Sequence, residues 1–213
     1  MKVVGLDACR GKWLAVALDE GGFDDARLAA DPAVLLAEWS DAAVIGVDIP
    51  IGLPETPLRE ADRAAREFVG ERRSSVFSTF PSVVLEAPTY EDAKGICVAH
   101  GWSKPSIQSY GMRHRIFEIA HLAAADERVV EVHPEVSFRE LLGRTPAPKR
   151  TGVGGSERRL ALAEAGIDLP DLPYPLDDVL DAAVAAWSAM RYAQGKALPL
   201  PHGHQDRLGA IWR

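Results

Sequence analysis

Three apolar stretches of this sequence each carry an acidic residue where a buried strand would be apolar. Asp7 and Asp48 each end such a stretch, and Glu131 lies inside the third, Val129–Val132. A strand in the middle of a sheet is normally apolar on both faces, so these positions need another explanation. Because carboxylate oxygens are the ligands that Mg²⁺ and Mn²⁺ prefer, the pattern predicts a divalent-metal site.

A second acidic group opens the last long predicted helix, at 177–194. Residues three or four apart share one face of a helix, so Asp178 and Asp181 point together, as do Asp177 and Asp181. Asp177 is most simply an N-cap, and the helix dipole would favour Asp178 without any metal. Asp181 lies a full turn into the helix, where neither explanation applies, and is therefore the strongest candidate ligand of the three.

The combined pattern predicts the chemistry of phosphodiester cleavage. Two divalent ions ~3.5–4 Å apart can stabilise the attacking and leaving oxygens of such a reaction. We predict catalytic roles for Asp7, Asp48, Glu131 and Asp181, and metal-ligand roles for Asp7, Asp48, Asp178 and Asp181. Without the cation these carboxylates would repel one another, so we expect the empty site to destabilise the fold. The structural alternatives are turns for Asp7 and Asp48 and an ion pair with an arginine for Glu131.

Basic residues cluster locally, although the chain as a whole is acidic. Their side chains, together with serine hydroxyls, are suited to gripping phosphates, and the alternative is a solvated surface with ion pairs to nearby carboxylates. The predicted substrate-binding residues are Arg63, Arg66, Arg72, Arg73, Ser75, Lys149 and Arg150. Phe77, Trp102 and Tyr110 could stack on bases, although such aromatic residues more often lie in a core.

His133 falls between Glu131 and Glu135 at alternate positions, so the three side chains share one face while the chain is extended. It is a candidate general base or metal ligand, and the alternative is a hydrogen-bonded histidine at a strand end. The sequence contains no GxxxxGK[ST] phosphate loop, no GxGxxG fingerprint and no GxSxG elbow, which argues against the enzyme classes that depend on them.

The elements that must position these side chains follow from the hydrophobic pattern. The opening segment reads strand, strand, strand, helix, strand, with two hairpin-like links before a crossover helix that starts at Asp31-Pro32. Residues 50–125 are rich in proline, serine and charge, and we interpret them as an insertion or lid. Helices are predicted at 58–69, 113–125, 136–142, 157–165 and 177–194, with a flexible glycine-rich loop within 147–156.

Composition is that of an ordinary globular protein. The 213 residues fit one domain, 1–213, that includes the insertion at about 50–125. A net charge of -7 argues against coating nucleic acid by bulk charge, but not against a local basic patch. Two isolated cysteines and no signal segment favour the reducing cytoplasm. No apolar run approaches the ~20 residues that span a bilayer, so no membrane is expected, and an oligomer is compatible with the sequence.

Motifs spread over nearly the whole length carry a resemblance to a known family. They are Gly5-Leu6-Asp7 with Trp13; Val47-Asp48-Ile49-Pro50-Ile51-Gly52-Leu53-Pro54; Arg59 with Asp62-Arg63 and Arg66; Ser75-Val76-Phe77; Glu131-Val132-His133-Pro134-Glu135; Lys149-Arg150-Thr151; and Asp177-Asp178 with Asp181-Ala182. The chain resembles the family known as domain of unknown function 429, whose members are predicted ribonuclease-H-like nucleases.

The resemblance implies an α/β, ribonuclease-H-like fold, in which a five-stranded mixed sheet is flanked by helices; here a mostly helical insertion would follow the fourth strand. It also implies acidic site residues from the first strand, the fourth strand and the last helix, which correspond to Asp7, Asp48 and Asp181 or Asp178. The leading hypothesis is a Mg²⁺- or Mn²⁺-dependent nuclease or phosphodiesterase that acts on nucleic acid or a nucleotide. Two alternatives stay open: a nucleotide-binding, phosphotransferase-like protein, and a non-catalytic binding protein that retains the fold.

Overall fold

A five-stranded mixed sheet forms the centre of the computed structural model, which describes residues 1–20 and 22–213. The strands are β1 (Lys2–Cys9), β2 (Lys12–Asp19), β3 (Gly22–Ala29), β4 (Val44–Val47) and β5 (Val129–Glu131). They lie in the spatial order β3-β2-β1-β4-β5. β1, β2 and β3 form an antiparallel meander, whereas β4 and β5 run parallel to β1. The predicted mixed sheet of five strands is confirmed.

The described residues also form nine α-helices. They are α1 (Pro32–Glu38), α2 (Glu60–Val69), α3 (Ser82–Leu85), α4 (Tyr90–Ala99), α5 (Ile107–Gly111), α6 (Arg113–Ala125), α7 (Pro134–Leu142), α8 (Gly152–Glu164) and α9 (Leu176–Ala193). A 3₁₀ segment, Gly70–Ser75, follows α2, and β6 (Pro199–Leu200) pairs with β7 (Ile211–Trp212) in a separate two-stranded sheet. None of the helices in the described residues combines the length and the apolar character that crossing a bilayer requires.

The central sheet has an apolar core on each face, because alternate residues of a strand point to opposite sides. Leu6 of β1 belongs to one cluster with Ile116 and Ile119 of α6, and Val3 of β1 belongs to the other cluster with Leu180 of α9. Helix α6 lies within residues 50–125, which the sequence suggests as an insertion or lid. This segment therefore also supplies one layer of the main core.

A glycine in β1 lets α9 lie directly against the sheet. A Cβ atom on Gly5 would stand 2.0 Å from the carbonyl oxygen of Ala182, a distance that no real contact shows. Only a residue without a side chain allows this approach of helix and strand. Because Asp181 precedes Ala182 and Asp7 lies two residues after Gly5, the same approach brings these two carboxylates to one end of the sheet.

The glycine-rich stretch 152–156 is helical, whereas the sequence predicts a flexible loop there, and α8 begins several residues earlier than predicted. Thr151 Oγ1 accepts a hydrogen bond from the Gly154 N–H at 3.0 Å and so starts the helix. A Cβ on Gly154 would lie 2.1 Å from the carbonyl oxygen of Pro148. Close packing, and not flexibility, accounts for this glycine.

Candidate active site

Three carboxylates meet where the parallel strands end. Asp7 lies in β1, Asp48 directly follows β4, and Asp181 lies in the second turn of α9. The Asp48 N–H donates to the carbonyl oxygen of Leu6 at 3.1 Å, which continues the parallel pairing and sets Asp7 and Asp48 side by side. Asp7 is 8% exposed and Asp181 is 4% exposed. We refer to Asp7, Asp48 and Asp181 as the acidic cluster.

Burial raises the pKa values throughout the acidic cluster. It raises the pKa of Asp7 well above its ordinary value, and the charges of Asp48 and Asp181 raise it further. It raises the pKa of Asp48 to about 7 and that of Asp181 to about 6, although Lys149 opposes both shifts. A raised carboxyl pKa means that the ionised form is destabilised at that position. The acidic cluster is therefore short of positive charge.

Lys149 forms an ion pair with the acidic cluster. Its Nζ donates to Asp181 Oδ2 at 2.6 Å. Burial by itself lowers the pKa of Lys149, but the carboxylates of Asp181, Asp7 and Asp48 outweigh burial and raise it. One ammonium group offsets one of three carboxylates, so two negative charges stay uncompensated when the whole acidic cluster is ionised.

The donor chemistry of the acidic cluster fits a divalent cation. Aspartate oxygens are preferred ligands of Mg²⁺ and Mn²⁺, and a bound cation would relieve the repulsion between buried carboxylates. Within residues 1–20 and 22–213, no three His, Cys, Asp or Glu side chains are arranged to hold a metal ion as they stand. Since Lys149 holds one oxygen of Asp181, the ammonium group and a metal ion would compete for this carboxylate.

Asp178 lies at the edge of the acidic cluster, in the first turn of α9. Its charge contributes to the raised pKa of Asp7, but less than burial, Asp48 or Asp181. On its other side, burial and a hydrogen bond to Asp178 raise the pKa of the Cys9 thiol to about 11. The N-cap of α9 is Pro175, so the prediction that Asp177 caps this helix is wrong.

Glu131 is held in a buried ion-pair network. Its two carboxylate oxygens accept hydrogen bonds from Arg59 Nη1 and Nη2 at 2.6 and 2.5 Å, and Oε2 also accepts from the Ile51 N–H at 2.6 Å. Arg59 Nη2 donates to Asp62 Oδ1 at 2.7 Å. The structure therefore shows the structural alternative for Glu131, an ion pair with an arginine. Its catalytic role stays a prediction.

His133 caps α7 through its imidazole ring. Nδ1 accepts a hydrogen bond from the Glu135 N–H at 3.2 Å, so Nε2 carries the proton and faces the carbonyl oxygen of Ser75 at 3.4 Å. Burial lowers the pKa of His133, which favours this neutral form. Because both ring nitrogens have partners, the geometry favours a hydrogen-bonded histidine over a general base.

A cavity of about 630 Å³ opens beside the acidic cluster, and Asp48 and Asp181 form part of its lining. Four of the predicted substrate-binding residues line the same cavity: Arg72, Ser75, Lys149 and Arg150. Carboxylates and cationic side chains therefore share one pocket, which we call the site cavity. Its wall also contains Phe77, Gln108 and Met112. No sequence pattern pointed to Gln108 of α5 or to Met112 directly after it, because only folding brings this helix to the cavity.

The other three predicted substrate-binding residues do not line the site cavity. Arg66 Nη2 donates to the carbonyl oxygen of Val76 at 2.9 Å and to Ser78 Oγ at 2.8 Å, so it braces the chain after the 3₁₀ segment. Arg63 is exposed and pairs with Glu60 at 3.3 Å. Arg73 is also exposed. The structure thus divides the predicted basic residues into those at the cavity, one that braces a loop, and two on the outer surface.

Comparison with protein families identifies the family of this chain. The model of the family described as "Protein of unknown function (DUF429)" matches residues 5–206. The chain belongs to this family. No curated protein and no solved structure matches the chain. The DUF429 match covers Asp7, Asp48 and Asp181 together with the lining of the site cavity up to Asp181.

Proposed function

We propose that this DUF429 protein is a Mg²⁺- or Mn²⁺-dependent nuclease that hydrolyses phosphodiester bonds. The observation that carries the proposal is the convergence of three carboxylates, from two strands and one helix, at a cavity that Arg72, Lys149 and Arg150 also line. Asp7, Asp48 and Asp181 would hold the cation, with Asp178 as a further ligand. The cation would supply a water of lowered pKa and would stabilise negative charge on the phosphoryl oxygens.

The basic side chains of the site cavity would bind and orient the phosphate. Arg72 is held in place by its contacts with the carbonyl oxygen of Pro146 at 3.3 Å and with Glu135 at 3.6 Å. Guanidinium groups fixed in this way suit phosphate because they donate two parallel hydrogen bonds. Arg150 and Lys149 line the same cavity as Arg72, and Lys149 contacts Asp181 directly, so a phosphate bound to Lys149 would lie next to the carboxylates.

We further propose that the fold is ribonuclease-H-like and that the protein acts in the cytoplasm. The strands lie in the order β3-β2-β1-β4-β5, and β2 runs antiparallel to the other four strands. This topology supports the fold proposal, together with the motifs described above. The buried, unpaired thiols of Cys9 and Cys97 support a reducing location.

The experiment is metal-dependent cleavage of single-stranded and duplex RNA and DNA. We expect cleavage with Mn²⁺ or Mg²⁺, none with EDTA, and none with Asp7→Asn or Asp181→Asn. Asp168→Asn, which changes an exposed aspartate, is the matched control and should retain activity. Absence of cleavage on every substrate, with a melting temperature that Mn²⁺ does not change, contradicts the proposal. Tight ATP binding in calorimetry without cleavage would instead favour the phosphotransferase alternative.

A further inference from the structure

One exposed aromatic side chain stands on a rigidly braced loop at the site cavity. Phe77 is 37% exposed, lines the cavity and belongs to none of the apolar core clusters. The residues on both sides of it are anchored: Arg66 donates to Val76 O and to Ser78 Oγ, at 2.9 and 2.8 Å. One residue further on, Asp62 Oδ2 accepts from the Thr79 N–H at 2.6 Å.

This bracing comes from the protein interior. Asp62 is 1% exposed and is itself held by the buried guanidinium of Arg59. A buried ion pair thus fixes the loop while leaving an apolar ring in contact with the cavity. Exposing an apolar ring has an unfavourable free energy, so a flat ligand group that covered the fixed ring would be stabilised there.

Other residues of the cavity lining suit the remaining parts of a nucleotide. Met112 adds apolar surface, and Gln108, whose side chain is exposed, adds an amide that can both donate and accept hydrogen bonds. Arg72 and Arg150 supply cationic groups for a phosphate. The cavity volume of about 630 Å³ falls in the ~300–1,000 Å³ range of pockets that enclose a small-molecule ligand.

We propose that the site cavity binds one unpaired nucleotide unit of a single strand, with its base stacked on Phe77 and its phosphate between Arg72, Arg150 and Lys149. This inference rests on the proposed nuclease function and names its substrate class. A base inside a duplex has both faces covered by neighbouring bases, so it offers no free face to Phe77. The substrate is therefore single-stranded, or has a strand end that leaves the duplex.

The test is equilibrium binding by fluorescence anisotropy, with Mn²⁺ present. The probes are a short labelled single strand with phosphorothioate linkages, which resists cleavage, and the blunt duplex of the same sequence. We expect tighter binding of the single strand, and roughly five- to hundredfold weaker binding of it by Phe77→Ala, the range for losing one base–aromatic stack. Phe77→Tyr keeps the ring and should retain the affinity of the unchanged chain.

Ile107→Ala is the matched control, because Ile107 is an exposed apolar residue beside Gln108 that does not line the cavity. It should bind the single strand as the unchanged chain does. Thermal melting of Phe77→Ala checks that the variant is folded, as expected for an exposed ring outside the core. Unlabelled dinucleotide should displace the strand at a concentration at which inorganic phosphate does not, since phosphate alone lacks the base.

Equal affinity for single strand and duplex, or unchanged affinity in Phe77→Ala, overturns the inference. If Mn²⁺-dependent cleavage of duplex persists in Phe77→Ala at the unchanged rate, the nuclease proposal stands and the nucleotide pocket is wrong. If no nucleic acid is cleaved but Phe77→Ala loses single-strand binding, the nucleotide pocket stands and the nuclease proposal fails.

Discussion

Replacing Asp48 with asparagine should stabilise the metal-free protein at alkaline pH. The pKa of Asp48 is raised from an ordinary 3.8 to about 7, chiefly by burial. Between these two values the folded state binds more protons than the unfolded state, so the free energy of unfolding falls as pH rises. Below both values the carboxyl group is neutral in both states, and this destabilisation is absent. Above about pH 7 it is complete.

The magnitude follows from the size of the shift. A change of about three pKa units corresponds to ~4 kcal/mol, which is an upper limit. Asp48 is partly exposed, so solvent screens its charge, and we expect roughly 1–3 kcal/mol for Asp48→Asn at about pH 8. For a protein of this length that is an increase in melting temperature of ~3–10 °C. At about pH 4.5, which lies only ~0.7 unit above the ordinary value, the gain should fall to roughly a quarter of this, and below both pKa values it should vanish.

The assay is thermal or urea unfolding in EDTA across this pH range, with stability expressed as the difference between variant and unchanged protein. Titrating groups outside the acidic cluster are common to both chains and largely cancel in the difference. Asp7 and Asp181 lose the repulsion of Asp48 in the variant, which adds to the gain. Asp168→Asn, at an exposed aspartate, should show no such pH-dependent gain. Mn²⁺ should then stabilise the unchanged chain more than Asp48→Asn, because the variant lacks one ligand. A variant that is less stable than the unchanged protein at about pH 8 would refute the reasoning.

Three further predictions concern the elements that position the site. Glu131→Ala should destabilise the protein by ~3–5 kcal/mol in urea unfolding, with or without Mn²⁺, because it leaves the Arg59 guanidinium buried without its main partner; a loss below ~1 kcal/mol would contradict this. His133→Ala should lower the free energy of unfolding by about 1 kcal/mol, because the helix cap is lost, and should leave the shape of any pH–rate profile unchanged. Loss of one limb of the profile would instead indicate that His133 is a general base. Gly5→Ala should lower the free energy of unfolding by ~1–3 kcal/mol or more and should weaken Mn²⁺ binding in calorimetry. The reason is that its Cβ would push α9 and Asp181 away from β1. Gly95→Ala, at a glycine with open space around it, is the control.

Local patterns were enough to predict most of the elements. Alternating and continuous apolar runs predicted the strands that carry Asp7 and Asp48, because backbone period and burial both act over a few residues. The Asp31-Pro32 pair predicted the start of α1, where Asp31 Oδ1 does accept from the Ala33 N–H at 2.8 Å. The prediction of a flexible loop at the glycine-rich stretch 152–156 was wrong, because glycine also occurs where one backbone segment passes close to another.

The sequence by itself determined the mixed sheet and the set of carboxylates, since a short run of residues defines a strand and marks an acidic residue as out of place within it. The tertiary structure alone decided how those carboxylates are used. It brought Asp7, Asp48 and Asp181 together and bound Lys149 to one of them, whereas it paired Glu131 with Arg59, 72 residues away in the chain. Ion pairing and pKa depend on distances of a few ångströms between residues far apart in sequence, and only the folded chain sets those distances.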